Sequence, residues 1–338
     1  MIRVFLSHEP EALKNFYGER AIKELKKFAE VRINDSKRVL TTDMLVDGAK
    51  GCDAVVLDRN TPADEAFFAS CPGVVSVHRC AVDIRTVDVD AASRAGVLVT
   101  NASPGFVDAV VDLSLGLMID LARSVSSYVS DYHRDAPPAA RMGRQLSGST
   151  IGIIGHGSIG ARLAEVAHAL GMTVLVHDPY KTIDDRHIRQ TSMAELLGES
   201  DFVHCLATAT PETENLMDEK AFAAMKESAY FINVSRGNLV DEAALERALT
   251  NGRIAGAAMD VGRAADQKPS PRLARLPNVI ATPHIGGQTP AAIEYQALET
   301  VEQVRAVSEG VLPHNPINPD RAFRFAEFIQ LRSEGAGS

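Results

Sequence analysis

Hydrophobic residues in the first hundred positions fall into short runs separated by amphipathic stretches. The runs that predict buried strands are 2–7, 53–57, 74–78 and 97–100. The stretches between them repeat hydrophobic residues every three or four positions, and those that predict helices are 13–28, 63–69 and 90–94. Because strands that alternate with helices are typical of a helix-covered parallel sheet, a small α/β domain is expected here.

The same alternation resumes after residue 147. Six runs predict parallel strands, at 151–154, 173–176, 202–206, 230–234, 254–259 and 279–281. Predicted helices occupy 217–225 and 242–249, and a single helix at 108–127 leads into this part. Six parallel strands with crossover helices predict a doubly wound sheet. An amphipathic helix at 289–309 is expected to return the chain to the first domain, and the tail at 332–338 to be loose.

Length and composition fit a two-domain globular protein. The chain has 338 residues, above the usual size of one domain. Its formal net charge is −9 and it has no basic block, so neither a nucleic acid nor an anionic membrane is an expected partner. The four cysteines lack zinc-ligand spacing, which predicts buried thiols and no metal site. No signal peptide or membrane-spanning run is recognisable, so a cytoplasmic protein is expected.

The stretch 150–178 has the features of a dinucleotide-binding turn. A hydrophobic run is followed by Gly155, Gly157 and Gly160 in the pattern G-x-G-x-x-G, then by a helical pattern and a second run that ends at Asp178. The glycines allow the tight turn, the approach of a pyrophosphate and close helix packing, respectively. Asp178 would accept ribose hydroxyls and repel a 2′-phosphate, which favours NAD over NADP. The alternative is an ordinary βαβ unit with a glycine-rich turn.

Polar residues follow three later strands of the same predicted sheet. Arg236 lies in NVSRG (233–237), Asp260 in MDV (259–261) and His284 in TPHIGG (282–287). The carboxyl ends of parallel strands face the ligand crevice, so these three side chains are expected to converge.

These segments resemble those of the D-isomer-specific 2-hydroxyacid dehydrogenases. The motifs that carry the resemblance are GHGSIG (155–160), HDPY (177–180), TPET (210–213), NVSRGNLVDEAAL (233–245), GAAMDV (256–261) and PNVIATPHIGG (277–287). The resemblance implies a Rossmann NAD-binding domain at 104–290, inserted into a smaller flavodoxin-like α/β substrate-binding domain made of 1–103 and 291–338. It also implies a homodimer joined through residues 122–145.

The resemblance implies roles for individual residues. Arg236 matches the arginine that binds the substrate carboxylate and polarises the carbonyl at C2, a task suited to a planar guanidinium. His284 matches the proton donor for ketone reduction, and Asp260 the acid that holds the nicotinamide amide. The positions implied at the cofactor are Gly155, Gly157, Ser158, Ile159, Gly160, Asp178, Thr208, Val234, Ser235, Arg236, Asp260, His284 and Gly286.

Two positions depart from the family pattern. The family glutamate that orients the histidine is replaced by Ala265, so either Asp266 takes its catalytic role or the triad is incomplete. In the substrate loop 79–85, Asp83 occupies the customary glycine. An aspartate tolerates the positive φ of a glycine, which would preserve the backbone N–H groups at Val82 and Asp83 for the substrate carboxylate.

Arg59 and Arg85 lie in the two loops that line the substrate side in the family. The hypothesis is that one of them binds a second anionic or polar group of the substrate. The alternative is that both are solvated surface arginines.

The leading prediction is an NAD-dependent D-2-hydroxyacid dehydrogenase, an oxidoreductase that moves a hydride between NAD(H) and C2 of a 2-hydroxy or 2-keto acid. One alternative is an NADH-binding regulatory or assembly module of the same fold with little turnover. Another is a family member that acts on a substrate other than a hydroxyacid.

Overall fold

A computed structural model describes residues 1–264 and 266–335 of the chain, with side chains described through residue 331. The chain divides into two compact units. Unit 1 comprises Met1–Phe106 and the chain from Thr289 onward, and unit 2 comprises Val107–Gln288. None of the helices within the described ranges is long and apolar enough to cross a membrane.

Unit 1 is built on a five-stranded parallel sheet. Its strands are β1 (Ile2–Leu6), β2 (Ala29–Ile33), β3 (Ala54–Leu57), β4 (Ser76–Arg79) and β5 (Leu98–Asn101). They pair in the order β2-β1-β3-β4-β5. This is the strand order of flavodoxin-like sheets and confirms the predicted fold class of this part.

Five helices connect these strands. They are α1 (Pro10–Phe16), α2 (Glu19–Leu25), α3 (Thr42–Ala49), α4 (Glu65–Ser70) and α5 (Val89–Ala95). The prediction of one helix over 13–28 is wrong. Gly18 separates α1 from α2 with a φ of 86°, which no residue of a right-handed helix adopts.

Unit 2 contains a seven-stranded parallel sheet. Its strands are β6 (Thr150–Ile154), β7 (Thr173–His177), β8 (Ile188–Gln190), β9 (Phe202–Cys205), β10 (Tyr230–Asn233), β11 (Gly256–Met259) and β12 (Val279–Ala281). The order β12-β11-β10-β9-β6-β7-β8 confirms the doubly wound Rossmann fold. The prediction of six strands is wrong, because β8 is a short polar edge strand. The strand order reverses between β6 and β9, where such sheets bind ligands at their carboxyl ends.

The described residues of unit 2 form seven α-helices. They are α6 (Val107–Arg123), α7 (Val125–His133), α8 (Ser158–Ala169), α9 (Met193–Glu199), α10 (Glu219–Ala224), α11 (Glu242–Thr250) and α12 (Pro271–Ala274). The prediction of one helix over 108–127 is wrong. Ser124 has a left-handed backbone with a φ of 55°, and the Asp120 carboxylate accepts the N–H of Ser126 at 2.8 Å, so a new helix begins.

Two helices return the chain to unit 1, namely α13 (Pro290–Ser308) and α14 (Phe323–Gly335). In α13, Ala297, Val301, Val304 and Val307 belong to the same hydrophobic core as the residues of β1. The core of unit 1 is therefore completed by residues from a distant part of the chain. The predicted loose tail overlaps the end of α14, and residues 336–338 lie outside the described residues.

Candidate active site

Each glycine of the turn after β6 has its own structural reason. Gly155 has a φ of 97°, and a Cβ atom there would lie 2.7 Å from the carbonyl oxygen of Leu206. A Cβ at Gly160 would lie 2.2 Å from the carbonyl oxygen of Gly155, so α8 packs directly on the turn. Gly157 faces open space, with no atom within 4 Å of such a Cβ. The turn therefore leaves its backbone open at the residue where a pyrophosphate is expected.

The first turn of α8 adds backbone donors at the same place. Gly157 is the N-cap and provides no side chain to bind the N–H groups of the first turn. Gly157 and Ser158 are exposed, and Ile159 is half-buried. Unpaired N–H groups and the partial positive charge of a helix N-terminus attract phosphate. The residues of this turn fit a dinucleotide.

Asp178 follows β7 and is held by the backbone. Its carboxylate accepts hydrogen bonds from the N–H groups of His156 at 2.8 Å and Tyr180 at 3.0 Å. Burial alone would raise the pKa of Asp178, but these hydrogen bonds and the charge of Lys181 together lower it. The carboxylate is therefore ionised at neutral pH, as binding of ribose hydroxyls and rejection of a 2′-phosphate require.

The loop after β10 carries Arg236. The buried side chain of Asn233 donates to the carbonyl oxygen of Arg236 at 2.9 Å and accepts the N–H of Ser235 at 3.0 Å. The Ser235 hydroxyl donates to the carbonyl oxygen of Ala207 at 3.1 Å. The backbone N–H of Asp260 donates to the carbonyl oxygen of Asn233 at 3.0 Å. Arg236 itself is exposed, and its Nη1 donates to the Ser235 carbonyl at 2.8 Å. The backbone of the loop is fixed, and the residue Arg236 is exposed.

Two glycines and an arginine hold this loop against the loop after β11. A Cβ at Gly237 would lie 2.0 Å from the carbonyl carbon of Gly262, so the two backbones touch. Arg263 donates to the carbonyl oxygen of Val240 at 2.9 Å and pairs with Glu214 at 2.7 Å. Arg263 was not among the predicted site residues, because its partners are far away in sequence and no motif links them.

Asp260 binds the loop that contains His284. This carboxylate is 1% exposed and accepts three hydrogen bonds. The Thr282 hydroxyl donates at 2.6 Å, and the N–H groups of Ile285 and Gly286 each donate at 2.8 Å. Asp260 therefore fixes both sides of His284, and it touches the backbone of the Arg236 loop as well.

His284 is half-buried and has a φ of 61°. A left-handed backbone costs a residue with a Cβ about 1–2 kcal/mol. It persists where the surroundings fix it, and such strain is concentrated at functional sites. Here the N–H of His284 donates to the carbonyl oxygen of Thr282 at 3.0 Å, inside the loop that Asp260 holds. The imidazole therefore leaves the backbone in a direction that the loop dictates.

Asp266 is exposed and is paired with a neighbouring lysine. Its carboxylate lies 2.9 Å from Nζ of Lys268 and accepts the N–H of the same residue at 3.2 Å. The hydrogen bonds from Lys268 lower the pKa of Asp266. Ala265, at the position of the family glutamate, lies outside the described residues. The proposed replacement of that glutamate by Asp266 stays a prediction.

Among the other predicted cofactor positions, Thr208 is exposed and Val234 is buried. The carbonyl oxygen of Thr208 accepts the Thr213 hydroxyl at 2.7 Å. Because the Val234 side chain is in the core, only the backbone of this residue is available to a ligand. Within the described residues, no cluster of three or more histidine, cysteine, aspartate or glutamate side chains could hold a metal ion.

The predicted substrate residues of unit 1 lie in the loops after β3 and β4. The φ of Asp83 is not positive, so the expectation that Asp83 adopts a glycine-like backbone conformation is wrong. Its carboxylate pairs with the Arg85 guanidinium at 2.5 Å, which lowers the pKa of Asp83. The N–H groups of Val82, Asp83 and Ile84 have no acceptor within the described part of the chain. The loop thus offers backbone donors, and its extra carboxylate is neutralised locally.

Arg59 follows β3 and contacts two side chains of unit 1. Its Nη2 donates to Oε1 of Gln296 at 3.3 Å, and its guanidinium lies 5.4 Å from the centre of the Phe16 ring. These contacts give the side chain a defined position.

The doubly wound sheet, the glycine turn and Asp178 together define a dinucleotide-binding protein. The family model described as D-isomer specific 2-hydroxyacid dehydrogenase, NAD binding domain, matches residues 115–286. The chain belongs to this family, and its cofactor is NAD. The predictions of the family, the fold class and the cofactor are thereby confirmed.

Known proteins extend the comparison beyond unit 2. The chain is 32% identical over 312 residues to a D-3-phosphoglycerate dehydrogenase of Methanocaldococcus jannaschii, covering 89% of this chain and 57% of that protein. It is 29% identical over 327 residues to a glyoxylate reductase of Korarchaeum cryptofilum, covering 94% of this chain and 96% of that protein. The chain thus spans little more than half of the length of the phosphoglycerate dehydrogenase.

A solved structure is similar over almost the whole chain. It is the NAD complexed form of a D-isomer specific 2-hydroxyacid dehydrogenase from Lactobacillus delbrueckii ssp. bulgaricus. The identity is 27% and the TM-score 0.80, covering 94% of this chain and 100% of that one. These relatives act on different substrates by their names, so the comparisons define a family of NAD-dependent dehydrogenases and no single substrate.

Proposed function

We propose that this protein is an NAD-dependent D-2-hydroxyacid dehydrogenase that interconverts a D-2-hydroxy acid and the corresponding 2-keto acid. The observation that carries the proposal is the hydrogen-bond network of Asp260. The buried carboxylate of Asp260 holds the loop of His284. The backbone N–H of Asp260 donates to the carbonyl oxygen of Asn233, at the start of the Arg236 loop. A cation suited to a carboxylate and an acid–base group therefore share the edge of the sheet that carries the NAD turn.

The roles of the two side chains follow from their chemistry. Arg236 binds the substrate carboxylate through a planar pair of N–H groups and polarises the carbonyl at C2. NADH, when bound, supplies the hydride that is added to C2. His284 donates a proton to the carbonyl oxygen during reduction and accepts the hydroxyl proton during oxidation. The 2-keto acid, NADH and a proton thus give the 2-hydroxy acid and NAD⁺.

For the cofactor, we assign the phosphates to the turn and the ribose to Asp178. The open backbone at Gly157 and the first turn of α8 support the phosphate site. The further contacts in the proposal are those of Gly155, Ser158, Ile159, Gly160, Thr208, Val234, Ser235, Arg236, Asp260, His284 and Gly286. Asp260 is already engaged with its loop through both oxygens, so its effect on the nicotinamide is proposed to be exerted largely by positioning that loop.

Unit 1 is proposed to be the substrate-binding domain. The backbone donors at Val82 and Asp83 bind the substrate carboxylate, and the pairing of Asp83 with Arg85 keeps the extra negative charge compensated. This pairing occupies Arg85, so Arg59 is the better candidate for a second anionic or polar group of the substrate. Replacing Arg59 by alanine should raise the KM for dicarboxylic or phosphorylated 2-keto acids and leave that for pyruvate unchanged.

A homodimer is proposed through the segment 122–145. Val129, Tyr132 and Met142 of this segment are exposed large hydrophobic residues. Val129 and Tyr132 are three residues apart in α7 and therefore lie on one face of that helix, and exposed apolar patches mark protein–protein interfaces. Val129→Asp should therefore give a monomer in light scattering, whereas Val311→Asp, at an exposed apolar residue of unit 1, should not. All four cysteines are buried and free, which supports the proposed cytoplasmic location.

The direct test is NADH oxidation across a panel of 2-keto acids. His284→Asn is the appropriate variant, because asparagine tolerates a left-handed backbone better than alanine does. We expect kcat to fall by about 100-fold or more with the Kd for NADH little changed. His187→Asn, at an exposed histidine of the same unit, is the control. Near wild-type kcat for His284→Asn on the best 2-keto acid would overturn the proposed role.

A second function is favoured by the state of Asp266. This carboxylate is exposed and bound to Lys268, and the family glutamate is absent from the sequence. If Asp266 stays bound to Lys268 and does not replace that glutamate, the chain would act as an NADH-binding module with little turnover. Tight NADH binding without oxidation of NADH by any member of the panel distinguishes this function from the first.

A further inference from the structure

Arg79 connects the two loops that carry the proposed substrate residues of unit 1. It is the last residue of β4 and only 2% exposed. Its Nη2 donates to the carbonyl oxygen of Arg59 at 2.7 Å, and its Nε donates to the carbonyl oxygen of Asp83 at 3.0 Å. One buried guanidinium therefore fastens the loop after β3 to the loop after β4.

The charge of Arg79 has no carboxylate partner. Within the described part of the chain, no acidic oxygen lies within 4.0 Å of its nitrogens, and Nη1 is buried without a hydrogen-bond acceptor. Asp58 is the acid with the largest electrostatic effect on Arg79. Its oxygens, however, already accept bonds from the hydroxyls of Ser7 at 2.8 Å and Thr61 at 2.6 Å and from two backbone N–H groups.

A buried charge without a partner is unfavourable for stability, so packing alone does not account for an arginine at this position. Burial lowers the pKa of Arg79, but an arginine starts so far above neutrality that it stays cationic. The positive charge is therefore retained beneath the two loops, although no acid of the described chain forms a direct ion pair with it.

The bond to Asp83 also sets the direction of the backbone donors. A trans peptide points its C=O and its N–H in opposite directions. Because the Asp83 carbonyl points at the buried Arg79, the N–H of Ile84 in the same peptide points away from it. The neighbouring N–H groups of Val82 and Asp83 likewise have no acceptor among the residues described. Arg79 thus holds a backbone segment whose N–H groups have no protein acceptor among the described residues.

We propose that Arg79 is a positioning residue for substrate binding. It fixes the donors of residues 82–84 and the backbone of Arg59 relative to each other, and its charge, which has no direct ion-pair partner, favours an anionic group of the substrate at these donors. The inference rests on the proposed dehydrogenase function and adds a residue that touches the substrate only through the loops that it holds.

Arg79→Gln removes the charge, and Arg79→Lys keeps the charge but reaches only one carbonyl. For Arg79→Gln we expect the KM for the best 2-keto acid to rise by about 10- to 100-fold, the range of a lost charge-assisted hydrogen bond. Arg79→Lys should show a smaller rise, of about 3- to 10-fold. The KM for NADH should stay within about twofold in both variants, since the NAD turn belongs to unit 2.

His78→Leu is the matched control. His78 precedes Arg79 in β4, is equally buried, and bonds to the hydroxyls of Thr100 at 2.9 Å and Ser76 at 3.0 Å. Its loss should lower the Tm of the protein without changing the KM for the 2-keto acid. The control therefore tests whether a loss of stability alone raises the KM for the 2-keto acid.

The outcomes separate the two proposals. Turnover by the wild type with an unchanged KM in Arg79→Gln would overturn the role of Arg79 and leave the dehydrogenase function standing. An equal rise of KM in His78→Leu would also overturn it, because the effect would then be structural. Absence of turnover in the wild type would refute both proposals. If Arg79→Gln does not fold, an unchanged KM in Arg79→Lys overturns the inference.

Discussion

Replacing Asp260 by asparagine removes one acceptor from the network that holds His284. Asparagine has nearly the same shape as aspartate, but its NH₂ group cannot accept a hydrogen bond. Oδ1 accepts the Thr282 hydroxyl and the Ile285 N–H, and Oδ2 accepts the Gly286 N–H at 2.8 Å. If the amide oxygen keeps the first two donors, the NH₂ group faces the third. Two donors then oppose each other in a buried position.

The magnitude follows from that contact. A hydrogen bond to a charged group contributes about 1.5–3 kcal/mol, and a buried N–H without an acceptor costs about 1–3 kcal/mol. Because a loop can shift and relieve part of the conflict, we expect the free energy of unfolding of unit 2 to fall by about 2–4 kcal/mol. For a domain of this size the Tm should fall by about 4–16 °C.

The effect on activity comes from the strained backbone of His284. A loosened loop allows His284 to leave its left-handed conformation, so the imidazole spends less time in the reactive position. We expect kcat to fall by about 10- to 100-fold, with a smaller change in the KM for NADH.

The assay combines thermal unfolding followed by circular dichroism with steady-state NADH oxidation. Asp241→Asn is the control, because Asp241 caps α11 through the N–H groups of Ala243 and Ala244, and asparagine caps a helix as well as aspartate does. This control should leave Tm and kcat almost unchanged. The reasoning is refuted if Asp260→Asn shifts Tm by less than about 2 °C and keeps kcat within about twofold of the wild type.

Three further predictions concern unit 2. Gly160→Ala should unfold or strongly destabilise the unit, since its Cβ would lie 2.2 Å from a carbonyl oxygen. Gly157→Ala should keep the Tm of the wild type and raise the Kd for NADH by about tenfold. The same Tm in the Gly160→Ala and Gly157→Ala variants would contradict this prediction. Asp178→Ala should raise kcat/KM for NADPH relative to NADH by about tenfold or more, and an unchanged ratio would count against Asp178 as the ribose acid. Burial lowers the pKa of His204 to about 3, and neither of its ring nitrogens has a hydrogen-bond partner among the described residues. Below about pH 6.5, His204 is therefore protonated in the unfolded chain but stays neutral in the folded chain. The free energy of unfolding should therefore be level above pH 6.5 and fall towards pH 4, and His204→Leu should flatten that fall in urea titrations.

The strands of the unit 2 sheet and the glycine turn were predictable because their signals are contiguous in sequence. The strand β12 was predicted to the residue, and the G-x-G-x-x-G turn was recognised from its flanking runs. The position of Asp178 directly after β7 was predictable for the same reason. Local spacing decides these features, and the fold only has to bring their strand ends together.

Features that depend on distant partners could not be predicted. No glycine or proline near Ser124 indicates a helix break there. The spacing of hydrophobic residues does not predict the hydrogen bond by which the Asp120 carboxylate stabilises the start of the new helix. The short strand β8 has a polar sequence because it lies at a sheet edge. Arg79 and Arg263 join segments that are 20 or more residues apart, so their importance follows only from the tertiary contacts.

The return of α13 to unit 1 has a consequence for the order of events during synthesis. The residues of β1 share their core with Val301 and Val304, which a ribosome adds only after all of unit 2. The sheet of unit 1 therefore emerges from the exit tunnel with part of one hydrophobic face uncovered, while unit 2 is complete in a single continuous stretch. Unit 2 should mature first on the nascent chain, and the residues of β1, although translated before unit 2, should be among the last to become protected.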